Sequence, residues 1–518
     1  MNPAEVLHES AKRYTENIVC SVDGREQTYG QMYERATKLA NALSARGIAP
    51  GDRVATLGDN AFETVEQVAA CALGNYVRAS LYTYHSAEVN RYLLAHVGAK
   101  VLLVQASYYA DLEPLVKDLD DLLVIVLGGK SEGAEAYDDF LAGGDARPIN
   151  VRCSGDDIHI IRFSSGTTGR PKGIYHTVER WMDFNAEYRW VTPLINEESR
   201  YFAVGSIAHF GVALLWQALT VGAQIVSMST FEPRAALDLM ERKRVTHAAL
   251  VPVMIKEMVD ASDDRGRDYS GLQCLLYAGS PIAQATLRKA ISLFGPVLYQ
   301  VYAQSEALLV SVLQPHQHQL MGTKEEVGRL RSAGRATPHT VLTIRDESGA
   351  VLPAGEVGEV AAKSPAAMSG IWNDSESYSS RCLPDGSVLT RDMGYLDDDG
   401  FLFLVDRKDD MIISGGYNIW PTELEGVLVE HAGVHDVCVV GVPHDKWGET
   451  PKALVIRAEG SDVTEEELID YTRTRVGSVK KITSVEWVTE LPRSGAGKLL
   501  RSQARKMVLP AGAEWIQG

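Results

Sequence analysis

Phe163-Ser-Ser-Gly-Thr-Thr-Gly-Arg-Pro-Lys-Gly173 follows an apolar run, Ile158-His-Ile-Ile161, that has the composition of a buried strand. The eleven residues supply three glycines, four hydroxyl side chains, an arginine and a lysine. Glycine lets the backbone approach a ligand closely and point successive N–H groups into a concavity. The hydroxyls add short donors, and Lys172 adds a positive charge suited to a phosphate. The loop is built to hold a polyphosphate, through Ser164, Ser165, Gly166, Thr167, Thr168, Gly169 and Lys172. It is not a Walker loop, which needs Gly-Lys and then Ser or Thr at a helix start. Here Pro171 precedes Lys172 and Gly173 follows it.

On both sides of this loop, from Val54 to about Ala303, short β-rich runs alternate with helical stretches. The runs expected as strands are Val101–Val104, Leu122–Leu127, Ile158–Phe163, Tyr201–Val204, Gln224–Met228, His247–Val251, Leu272–Tyr277 and Leu298–Tyr302. Helices are expected over Arg234–Arg244 and Ala283–Phe294, among others. Such alternation predicts an α/β architecture with mixed, largely parallel sheets. After about Val327 the texture changes: two hairpin patterns, around Asp346-Glu-Ser-Gly349 and Asp397-Asp-Asp-Gly400, predict a small β-rich subdomain. A charged run, Asp406-Arg-Lys-Asp-Asp410, then marks a boundary, giving a large domain over 1–406 and a small α+β domain over 407–518. Thr464-Glu-Glu-Glu467 is a capping-box pattern opening a helix in the second.

Composition narrows the class. The 518 residues are enough for more than one domain, and 45% hydrophobic content suffices for ordinary cores. No run of about 18 apolar residues stands in the chain, so no membrane span is expected. The first ten residues lack a basic segment leading into an apolar run, so a secretory signal is not expected. Six cysteines are scattered singly, which fits reduced thiols in a cytoplasmic protein. A net charge of −17 excludes a general nucleic-acid binder, and it requires that an anionic ligand be met by local positive charge. His316, His318, His431 and His435 lack a third ligand at supporting spacing for a metal. Trp181, Phe184, Tyr188 and Trp190 read as core packing.

Further motifs stand in order along the chain: Tyr277-Ala-Gly-Ser-Pro281, Tyr302-Ala-Gln-Ser-Glu306, Thr390-Arg-Asp-Met-Gly394, Asp406-Arg-Lys-Asp409, Ser414-Gly-Gly-Tyr-Asn418 and Leu491-Pro-Arg-Ser-Gly-Ala-Gly-Lys498. Together with the phosphate loop they resemble the adenylate-forming (AMP-binding) superfamily, in its acyl- and aryl-CoA ligase branch. The resemblance implies an ATP-dependent ligase working with Mg²⁺ and CoA on a carboxylic acid, first making an acyl-AMP and pyrophosphate, then a thioester. It implies an adenine and phosphate site at Gly279, Ser280, Pro281, Tyr302 and Ser305, with Glu306 on Mg²⁺ and Asp392 and Arg407 on the ribose. Lys172, Glu306 and Lys498 would be catalytic, and His209, Phe210, Gly279, Val301 and Gln304 would line the acyl pocket. The C-terminal domain would be a mobile lid turning about Asp409, with Gly415, Gly416 and Tyr417 lining the pantetheine tunnel.

Arg391 replaces a glycine of the family pattern, Ala303 another, and Val301 stands where many CoA ligases have glycine. Val301 and the His209-Phe210 pair would narrow the cavity, so a compact aryl or short- to medium-chain acid is expected. A rival reading transfers the acyl group to a carrier-protein phosphopantetheine or to another nucleophile, such as an amine. Free CoA is preferred because no carrier segment follows Lys498. A non-catalytic scaffold is disfavoured because Lys172, Glu306, Asp392, Arg407 and Lys498 are all present. A monomer or homodimer is expected.

Overall fold

The computed structural model describes residues 2–119, 121–149, 151–164, 171–263, 265–493 and 499–509. Ser165, Gly166, Thr167, Thr168, Gly169 and Lys498 lie outside the described residues. Residues pack into two compact units: one takes those up to 342 together with 362–388, the other takes 343–361 and those from 389 onward.

The first unit contains two large sheets. Among the described residues one has nine strands, in the order 335–336, 308–313, 298–304, 274–277, 247–250, 200–202, 224–227, 18–22 and 25–28. The other has eight, in the order 370–371, 172–177, 158–164, 77–80, 53–57, 101–105, 123–127 and 135–136. Their middles are parallel; both edges of the nine-stranded sheet and one edge of the eight-stranded sheet are antiparallel, as in the pair Ile158–Ser164 and Lys172–Thr177, while Glu135–Ala136 pairs parallel at the other edge. Parallel strands covered on both faces read as continuous apolar runs, which is why Val101–Val104 and Leu123–Leu127 are legible. One apolar core draws Val54, Val101, Ile125 and Ile160 from the eight-stranded sheet and Val19, Tyr201, Ile225 and Val301 from the nine-stranded one. Trp181, Phe184 and Tyr188 pack into it, as expected, whereas Trp190 on the same helix is 67% exposed.

The second unit rests on two smaller sheets. The β-rich subdomain is a four-stranded sheet ordered 341–345, 358–363, 388–396 and 402–407. The second hairpin pattern forms as expected, with Leu396 opposite Leu402, and the first closes through a single bridge, Arg345 to Val351. The α+β segment holds strands 417–419, 412–414, 448–457 and 434–444, with 484–487 beside 448–457. The Thr464 hydroxyl accepts from the Glu467 N–H at 3.2 Å, which caps the helix Glu465–Lys480. Among the described residues no helix is long and apolar enough to cross a membrane.

Candidate active site

In the first unit, Ser164 ends one strand and Lys172 begins the next, and the two are paired across the ladder. The strands Ile158–Ser164 and Lys172–Thr177 are thus antiparallel neighbours, and Lys172 opens a strand rather than a helix. Its ammonium lies 3.0 Å from the Asp374 carboxylate and also donates to the Ser377 hydroxyl. Asp374 is the N-cap of the helix Ser375–Arg381, accepting from the Ser377 N–H at 2.9 Å. Hydrogen bonds from Ser377, and then the Lys172 charge, hold the Asp374 carboxyl down at about 2, so it is ionised at neutral pH.

Glu306 sits at the opposite end of that helix. Gln304 pairs with Leu308 across the hairpin, leaving Ser305–Ala307 as a three-residue turn, and Leu308 takes φ +52° to close it. The Glu306 carboxylate accepts from Arg381 at 3.3 Å, and its backbone carbonyl accepts from the Met368 N–H at 2.8 Å. The Ser305 carbonyl accepts from His176 Nε2 at 2.9 Å. Burial and the Arg162 charge push His176 down to about 3, so a neutral imidazole braces this turn. Among the described residues no group of three His, Cys, Asp or Glu is arranged to hold a metal. One hard carboxylate is nonetheless what Mg²⁺ asks of a protein when phosphates and water fill the other positions, and Glu306 fits that need.

The remaining residues expected at the acyl and adenine sites are also in the first unit. Gly279 follows the strand Cys274–Tyr277 at φ +95°, a conformation that favours glycine, and Ser280 and Pro281 follow it. His209 meets Tyr82 edge-on, with ring centroids 5.8 Å apart. Phe210 packs against the same core that holds Val301, which is buried, and Tyr302 is buried beside it on the strand. Gln304 is half-buried. Two of the tempting histidines are otherwise engaged: His318 Nε2 lies 2.9 Å from the Tyr277 hydroxyl, and His431 Nε2 3.4 Å from Glu467.

In the second unit, Asp392 and Arg407 are cross-strand partners, with Arg407 Nε 2.5 Å from the carboxylate. The unexpected Arg391 between Thr390 and Asp392 adopts φ +60°, the left-handed region the replaced glycine would occupy at no cost. Its guanidinium grips Asp409 with two hydrogen bonds, one of 2.8 Å, and its N–H donates to Glu359 at 3.0 Å. Lys408 also meets Glu359, at 2.8 Å. Three ion pairs therefore fasten residues 407–409 to the four-stranded sheet.

Gly415 and Gly416 form the two-residue turn between Ser414 and Tyr417, at φ +58° and +84°. A turn with both central residues in the left-handed region suits a tight hairpin. The Gly415 N–H donates to the Trp447 carbonyl at 2.8 Å, and Tyr417 and Trp447 are exposed. Around Lys498 the chain is fastened on both sides: Arg493 bridges Leu499, and the Leu500 N–H donates to the Pro492 carbonyl at 2.9 Å. The Arg501 guanidinium lies among Glu425 at 2.5 Å, Asp410 at 3.3 Å and Asp406 at 3.7 Å.

The engaging partners Asp374, Ser377, Arg381 and His176 are the residues sequence reasoning missed. Only the alternation of charge at Asp374 and Arg381 around a short polar helix hinted at them.

Known proteins give the same order of parts. Residues 7–372 match the family model for AMP-binding enzymes, and residues 423–498 match that for their C-terminal domain. The chain is 33% identical to a feruloyl-CoA synthase of an Amycolatopsis species, over 93% of this chain and 94% of that protein. It is 30% identical to a medium/long-chain fatty acid–CoA ligase of Mycobacterium tuberculosis, over 94% of this chain and 86% of that one. Among solved structures, the amide bond synthetase McbA of Marinactinospora thermotolerans superposes with a TM-score of 0.85 at 28% identity, covering 98% of this chain and 100% of that one. The family model covers well over half of the chain, and the chain belongs to the AMP-binding enzyme family.

Proposed function

We propose that the protein is an AMP-forming acid–thiol ligase that activates a compact aryl or short- to medium-chain carboxylic acid and transfers it to CoA. ATP and the acid react first: a carboxylate oxygen attacks the α-phosphorus, and pyrophosphate leaves. The CoA thiol then attacks the acyl carbonyl, and AMP leaves. The observation that carries this reading is that Lys172 and Glu306 are held by the two ends of one helix, Ser375–Arg381. Under this reading, one helix holds a cation for phosphate and a carboxylate for Mg²⁺ before any ligand arrives. Mg²⁺, when bound, offsets the charge of the leaving pyrophosphate.

The roles of this chain's residues follow the motifs. Lys172 binds the β- and γ-phosphates with the loop from Ser164, Ser305 hydrogen-bonds the α-phosphate, and Tyr302 lies against adenine. Asp392 accepts from the ribose hydroxyls with Arg407 beside it. Lys498 offsets charge developing on the reacting groups in the first step. Residues 407–518 act as a lid turning about Asp409, and Gly415, Gly416 and Tyr417 line the thiol's path. The six free cysteines agree with a cytoplasmic site of action.

A second reading keeps the adenylation and passes the acyl group to an amine, as the name of the amide bond synthetase describes for that protein; a carrier-protein thiol is the third acceptor. The test is ATP–pyrophosphate exchange over an acid panel, then product analysis with CoA, amines and phosphopantetheinyl carrier protein. Lys498→Ala should slow exchange by on the order of 10²–10³ while thioester formation from supplied acyl-AMP persists. Equal loss in both half-reactions would remove Lys498 from the first step.

A further inference from the structure

Strand Val77–Ser80 lies in the middle of the eight-stranded sheet, between Arg53–Leu57 and Ile158–Ser164, and it carries an arginine there. Arg78 is 5% exposed, yet among the described residues its guanidinium has no hydrogen-bond or ion-pair partner. A guanidinium buried without an anion is one of the most unfavourable arrangements a core can contain. Burial lowers its pKa only to about 10, so it remains charged at neutral pH. Its charged neighbour is a second arginine, Arg162, whose guanidinium rests over the Trp181 ring at 5.9 Å. The nearby His159 is held at about 3 by burial and by Arg78, so it is neutral and adds no further positive charge.

Arg78 lines two small cavities. The larger, about 20 Å³, is bounded also by Gln67, Ser80, Asp59, Ile207 and Ala208. Gln67 is 4% exposed and likewise has no hydrogen-bond partner among the described residues. Asp59, the one acid on the wall, is engaged by the Tyr108 hydroxyl at 2.9 Å and forms no ion pair with Arg78. The smaller cavity, about 10 Å³, is bounded by His159, Trp181, Val212 and Trp216. Ile207 and Ala208 line the larger cavity and Val212 the smaller, so both cavities border the segment that carries His209 and Phe210, the residues proposed for the acyl pocket. The space holds one or two water-sized groups, which suits the two oxygens of a carboxylate and not a ring.

We infer that Arg78, with the Gln67 amide beside it, receives a second carboxylate at the far end of the acid, so that the preferred substrate is a compact dicarboxylic acid. This inference rests on the acid-activating reading above. A guanidinium matches a carboxylate in charge and in planar geometry, and the amide adds a donor of the same kind. The arginine would also reject the monocarboxylic analogue, since that ligand leaves the charge buried and unpaired.

The experiment compares matched acids on the full chain by ATP–pyrophosphate exchange: hexanoate against adipate, and benzoate against terephthalate. In the wild type the diacid of at least one pair is expected to exceed its partner in kcat/KM by on the order of 10²-fold. Arg78→Met should erase that ratio while leaving the KM for ATP unchanged, and Arg78→Lys should restore part of it. Should Arg78→Met fail to fold, Gln67→Leu keeps the charge and is expected to lower the ratio severalfold. Wild-type preference for the monoacids in both pairs, or a ratio unaltered in the variants, overturns the inference while leaving acid activation intact. No exchange with any acid overturns the adenylating reading and this inference with it.

Discussion

Arg381 donates to the Glu306 carboxylate at 3.3 Å from the last turn of the helix whose N-cap, Asp374, lies 3.0 Å from the Lys172 ammonium. The guanidinium occupies one oxygen of the group proposed for Mg²⁺, and its charge opposes the cation. Arg381→Met should therefore lower the Mg²⁺ concentration that half-saturates exchange by roughly three- to tenfold, and Glu306→Gln should raise it. A titration in which neither variant moves the midpoint would remove Glu306 from the metal site.

Arg391 combines an unfavourable backbone conformation with a two-pronged hold on Asp409. Replacing it by glycine relieves about 1–2 kcal/mol of left-handed strain and gives up a partly exposed ion pair of about 1 kcal/mol or less. Arg391→Gly is thus expected to change Tm by only a few degrees. Asp409→Ala loses the pair without the relief and should melt lower. If Asp409 is the pivot of the lid, Arg391→Gly should also speed thioester formation relative to adenylation in single-turnover assays.

Four buried histidines make the fold sensitive to acid. Burial depresses His159 and His176 to about 3, and His247 and His318 to about 4. In the unfolded chain they titrate near 6.5, so below that pH the unfolded state binds more protons and is favoured. The stability they contribute is complete above about pH 6.5 and is lost as pH falls toward 3–4, by roughly 1.4 kcal/mol per unit for each histidine. Denaturant midpoints should drop steeply between pH 6.5 and 4.5. His176→Gln should flatten that slope, and an unchanged slope would show that His176 is solvated.

At Gly415 an added Cβ would lie 2.7 Å from the Trp447 ring, on a backbone already at φ +58°. Gly415→Ala should displace the ring and reshape the Tyr417–Trp447 surface. We expect the KM for CoA to rise by an order of magnitude or more, with the pyrophosphate-exchange rate unchanged. Loss of both activities together would place this turn in the first half-reaction as well.

The parallel strands were legible where both faces are apolar, as at Val101–Val104 and His247–Leu250. Strand Val77–Ser80 was not, because an arginine and a serine alternate with its apolar residues, a pattern that reads as surface until the sheet is seen to bury it. The hairpin Ile18–Val22 and Arg25–Thr28 also escaped notice, since it joins its sheet only through the distant strand Gln224–Ser227. At the site, the glycine and lysine motifs announced themselves by spacing. Asp374, Arg381 and His176 did not, because each meets its partner across 70 residues or more, as Arg381 meets Glu306. Arg391 was visible as an oddity, and its pairing with Asp409 required a register that sequence does not state.

Arg493 and Leu499 face each other in one bridge. Just beyond, Arg501 is locked among Glu425, Asp410 and Asp406. These joints are held by partners of their own, so a change at Arg501 should register in stability before it registers in chemistry.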